Sequence, residues 1–71
     1  MDITQRVQDA LGFYGMEMPV TLDGGKVIEN IEMDSLGDLF LTIDGNDVKY
    51  YGDLSLGEGQ DQVAKLNELF N

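Results

Sequence analysis

Leu39-Phe40-Leu41-Thr42-Ile43-Asp44-Gly45-Asn46-Asp47-Val48-Lys49-Tyr50-Tyr51 is the stretch that decides the fold. Leu39, Leu41 and Ile43 alternate with Phe40 and Thr42, the period of a half-buried strand. Asp44-Gly45-Asn46-Asp47 follows, a turn rich in residues that tolerate positive φ, and Val48 to Tyr51 returns as a second strand. A hairpin of this kind needs a third strand and a helix to cover its apolar side.

Upstream, Val27 to Met33 supplies a neighbouring strand, joined through the loop Ser35-Leu36-Gly37-Asp38. Val27, Ile31 and Met33 share one parity, but so does Glu29, which predicts a bulge or an open end of the sheet near Glu29. By the same parity Ile28 is expected on the opposite face. Before the turn Asp23-Gly24-Gly25, the residues Met16, Met18, Val20 and Leu22 alternate with polar ones. Pro19 cannot donate to a ladder, so this strand is expected at an edge.

Helices are expected at both ends. Ile3, Val7, Ala10 and Leu11 form a helical stripe, with Asp2 and Gln5 in capping-box spacing and Gly12 and Gly15 bracketing the end. Phe13 and Tyr14 are expected to anchor the exit. Val63, Leu66, Leu69 and Phe70 mark the second helix, with Ser55 and Glu58 as a possible capping box ahead of it. The fold class is therefore α+β: a three- to four-stranded antiparallel meander, with an N-terminal and a C-terminal helix packed on one face. Residues 1–71 form one acidic domain in this reading.

Composition narrows function. Fourteen acids against four bases give a formal charge of −10 over 71 residues, with 42% apolar content sustaining a core. Direct nucleic-acid binding and membrane association are not expected, because both draw on cations. Cysteine and histidine are absent, which removes thiol and imidazole chemistry and the usual zinc ligands. Asp44-Gly45-Asn46-Asp47 does not open a calcium loop, since its sixth position is Lys49 and its twelfth Ser55. No cofactor, metal or catalysis is expected. With no signal-like or membrane-spanning run, the expected location is cytoplasmic.

The face opposite the core carries the functional expectation. Between residues 29 and 53, Glu29, Glu32, Asp34, Asp38, Asp44, Asp47 and Asp53 stand against the single base Lys49. Such acids can simply keep edge strands solvated and apart. They can also steer a basic protein, with Phe40 and Tyr51 as anchors. Carboxylates two residues apart on a strand, such as Glu32 and Asp34, stand roughly 6.5–7 Å apart. That interval is close to two phosphate steps of about 3.4 Å along a nucleic-acid strand.

The layout resembles the small acidic phage proteins that inhibit host nucleic-acid enzymes, particularly the anti-CRISPR proteins. The similar stretches are Val20-Thr21-Leu22-Asp23-Gly24, Ile43-Asp44-Gly45-Asn46-Asp47-Val48 and the terminal Glu68-Leu69-Phe70-Asn71. The resemblance implies a non-catalytic inhibitor that occupies the DNA-recognition cleft of a basic nucleic-acid-binding enzyme, such as a CRISPR effector, as a duplex mimic. A structural or assembly module, whose sheet edge packs against copies of itself, is the alternative from the residues alone. An antitoxin-like partner of a basic toxin is a third reading.

Overall fold

The computed structural model describes residues 3–71. Its elements are α1 (Ile3–Tyr14), β1 (Val20–Thr21), β2 (Val27–Met33), β3 (Leu39–Ile43), β4 (Asn46–Tyr50) and α2 (Gln62–Phe70). Strands pair antiparallel in the order β1-β2-β3-β4, so the α+β meander is the fold, with four strands. The expected cap Asp2 lies outside the described residues.

The hairpin forms where its chemistry demands. Asp44 and Gly45 adopt φ of 50° and 79°, and the strands close directly on Ile43 and Asn46. Two consecutive positive φ values match the right-handed twist of the flanking strands. Asn46 and Asp47, read from the sequence as turn residues, are therefore the first residues of β4.

The bulge at Glu29 reverses one assignment. Ile28 pairs with Ile43 and Asn30 with Thr42, so Glu29 is an extra residue on β2. The offset turns Ile28 inward, where it is fully buried alongside Ile31, while Val27 is only half-buried. Ile28 thus belongs to the core and not to the uncovered face, because one inserted residue inverts the parity of everything before it.

Both helices cover the same side of the sheet. Ala10 and Phe13 of α1 and Leu66 of α2 join Ile28, Ile31, Leu39, Leu41 and Ile43 in one core, with Leu22 and Leu54 from the connections. The buried stripe of α1 is rotated from the expected one: Ile3 and Leu11 are about half exposed, and Phe13 goes in instead. An aromatic ring buries more apolar area than Leu11 could, so the helix turns to place it. Tyr14, expected beside it, faces solvent.

Helix α2 starts later than Ser55 and Glu58 suggest. Asp61 is its N-cap and accepts a hydrogen bond from the Ala64 amide at 2.8 Å. At the other end of the helix, Asn67 and Asn71 accept from the amides of Asp23 and Gly24, and Lys26 donates to the Phe70 carbonyl. The β1–β2 turn is thereby fastened to α2. Phe70 meets Tyr50 edge to face, with ring centroids 5.6 Å apart. The alternating run from Met16 shortens to Val20–Thr21, although Met16 and Met18 still pack on the core. No helix among the described residues is long and apolar enough to cross a membrane.

Candidate partner-binding face

With both helices on one side, the other side of β2, β3 and β4 is open. Cross-strand pairing sets two rows on it: Asn30, Thr42 and Asp47, then Glu32, Phe40 and Lys49. These six residues line a shallow groove of about 410 Å³. Phe40 is 39% exposed and Tyr51, just past β4, is 70% exposed. The Lys49 ammonium bridges them, 5.3 Å from the Phe40 ring centre and 5.9 Å from that of Tyr51. The two aromatics are thus gathered into one feature by a cation held against their π faces.

The carboxylates fall into two groups about this centre. At the hairpin end, Glu29 accepts from the Gly45 amide at 2.7 Å, and Asp44 accepts from the Val27 amide at 3.0 Å. The bulge residue therefore clamps the turn, and Asp47 stands exposed beside it. At the loop end, Asp34 accepts from the amides of Leu36 and Asp38 and shapes the β2–β3 connection. Asp53 accepts from the amide and hydroxyl of Ser55, each at 2.9 Å. Glu32 lies between the groups and receives only a long contact of 3.4 Å from Asn30. Along β2, the two groups are about 16 Å apart from the rise per residue.

Asp38 departs from the expectation. Its side chain is only 10% exposed, 2.7 Å from Arg6 and 3.8 Å from Lys49. This carboxylate is neutralised inside the protein and does not face a partner. Arg6 also donates to the Tyr51 carbonyl at 2.9 Å, so one guanidinium joins α1 to both sides of the face's loop end. Sequence reasoning missed Arg6. The one available signal was scarcity, since a chain with four bases has few ways to compensate a buried acid.

The other cations are engaged as well. Lys26 binds the Phe70 carbonyl and Lys65 pairs with Glu68 at 3.0 Å. Every base therefore has a partner within the chain, and most acids among the described residues have none of opposite charge. The field reaching solvent is consequently negative, including contributions away from the sheet from Asp9, Glu58 and Asp61.

Hydrogen bonds from the Ser55 amide, and then from its hydroxyl, hold the Asp53 carboxyl below its ordinary value of 3.8. A depressed folded value contributes stability above the unfolded pKa, and the contribution disappears as pH falls through the folded one. The Asp53→Asn variant should accordingly be less stable than the parent at neutral pH. That difference should close below pH 3.8 in urea melts followed by circular dichroism. A gap that persists in acid would assign the effect to packing instead.

No family model matches the chain, and comparison with curated proteins and with solved structures found no match.

Proposed function

We propose that the protein is a non-catalytic inhibitor that presents its open, acid-flanked sheet face to a basic nucleic-acid-binding protein in the cytoplasm. A DNA-mimicking inhibitor of the anti-CRISPR type is the form this takes. One observation carries the reading: all four cations are held by internal partners, while Glu29, Glu32, Asp44 and Asp47 remain on or beside an uncovered face with an aromatic centre.

Each part has a physical role. The carboxylates raise the encounter rate with a positive cleft, and Phe40 and Tyr51 supply the desolvated contact that slows dissociation. Hydrogen bonds to Glu29, Asp34, Asp44 and Asp53 fix those side chains before any partner arrives, which lowers the ordering entropy lost on binding. Lys49 offsets part of the field at the centre of the face, where its charge lies against two rings and 3.8 Å from Asp38, and the acids on either side of it outnumber it.

A competition experiment tests this. The protein in excess should displace DNA from CRISPR effectors, or block cleavage, at about 50 mM salt and less so at about 300 mM. The Glu32→Lys variant should weaken inhibition by about tenfold and flatten its salt dependence. Phe40→Ala should weaken it without changing the salt slope. Undiminished DNA binding and cleavage by every effector tried at low salt would remove the reading.

A further inference from the structure

Strand β4 is an edge of the sheet, paired with β3 on its inner side and with nothing beyond. The tight Asp44-Gly45 turn closes on Ile43 and Asn46 as a hydrogen-bonded pair. Alternation makes Leu41 with Val48 and Leu39 with Tyr50 the next bonded pairs. Asp47 and Lys49 therefore point their N–H and C=O groups outward. Among the described residues, none of those groups has a hydrogen-bond partner outside the sheet. The opposite edge offers nothing comparable, since β1 is two residues long and follows Pro19.

The free edge reads Asn46-Asp47-Val48-Lys49-Tyr50, and its charges are complementary to themselves about Val48. We infer that β4 pairs antiparallel with β4 of a second copy, about a twofold axis through Val48. In that register the outward N–H and C=O groups of Asp47 meet those of Lys49 in the second copy, and the reverse pair repeats it. Both side chains project from the uncovered face, so each carboxylate stands opposite an ammonium across the join. Asp47 is exposed with no internal bond to its carboxylate, and the half-exposed Lys49 side chain meets it by turning from the Phe40 and Tyr51 rings and from its long 3.8 Å contact with Asp38. Half-buried Val48 lies on the axis against its own counterpart.

Other registers are penalised. Centring the axis on Asp47 sets two carboxylates face to face, and centring it on Lys49 sets two ammoniums together. The Val48 register alone pairs opposite charges, which specifies a closed dimer over an open array of strands. The join leaves the sheet face open and places two copies of it side by side. It stands on the edge geometry and does not depend on the identity of any basic partner.

Sedimentation velocity across a concentration series tests the inference on the whole chain. The parent should show a concentration-dependent monomer–dimer equilibrium. Asp47→Lys should weaken it by about tenfold or more. This is a sharp expectation, because the same change reduces the magnitude of the negative net charge and with it the general repulsion between copies. Lys49→Asp should also weaken self-association. An equimolar mixture of the two variants should dimerise again, since each then faces only opposite charges. Circular dichroism establishes that each variant is folded.

A parent that stays monomeric to millimolar concentration, or a single Asp47→Lys variant that associates as well as the parent, would overturn the inference. So would a mixture of the variants that fails to recover. Glu32, whose variant reports on the basic partner, lies outside this join, so the two ideas fail independently.

Discussion

Phe13→Ala should lose about 3–5 kcal/mol of stability, enough to leave much of the population unfolded at physiological temperature. A domain of this size has roughly 4–10 kcal/mol in total, from the usual stability per residue. Phe13 is 1% exposed and, with Ala10, is what α1 contributes to the core. Removing the ring deletes its transfer free energy and leaves a cavity between helix and sheet. Helix α1 has only 12 residues, too few to persist once it loses its packing. Partial collapse around the gap is limited because Arg6 and Gly37 fix the helix against the β2–β3 loop.

Urea unfolding followed by far-ultraviolet circular dichroism measures the loss directly, and a lowered midpoint is the expected result. Tyr14→Ala is the matched control. It removes a neighbouring ring that is half exposed, and should change stability by less than about 1 kcal/mol. Equal losses for the two variants would show that α1 is not held by its buried face.

Gly37→Ala should destabilise by about 2–4 kcal/mol through two separate effects. Gly37 has φ of 84°, a conformation that strains any residue with a Cβ. A Cβ there would also stand 2.8 Å from the Arg6 carbonyl carbon and 3.0 Å from the Val7 nitrogen. These are backbone atoms of α1, so relief requires the helix to move away. Displacement would draw Arg6 from Asp38 and from the Tyr51 carbonyl, and so loosen the loop end of the open face.

Gly45→Ala separates the two effects. Gly45 has a similar φ of 79° with nothing within 4 Å of the would-be Cβ. Its variant should show only the conformational part, about 1 kcal/mol. A Gly37 variant no worse than the Gly45 variant would mean that the close approach of loop and helix does not matter. If the larger loss is found, partner binding by the Gly37 variant should also fall, since the position of Tyr51 depends on Arg6.

These two positions show how far local sequence reaches. Phe13 was read as an anchor, but the stripe through Leu11 pointed the helix slightly wrong, because period alone does not rank an aromatic above an aliphatic side chain. Gly37 was legible as a loop residue. That Arg6 lies against it was not, since nothing in a loop's composition names the element packed on it. Asp53 and Asp34, expected as partner contacts, also act as turn caps, their oxygens accepting from backbone amides two and four positions away.

By itself the sequence determined what depends on near neighbours: the strand period from Leu39 to Ile43, the positive-φ turn at Asp44-Gly45, two amphipathic helices, and an excess of negative charge. Their short connections left an antiparallel meander as the natural topology. Tertiary structure alone decided which side of β2 faces inward before the bulge. It also decided that Asp38 is neutralised by Arg6, 32 residues away, and that β4 is the edge left open. Local rules act through backbone geometry within a few residues. Charge compensation and strand order depend on which distant segments share space, and that is settled only when the whole core closes.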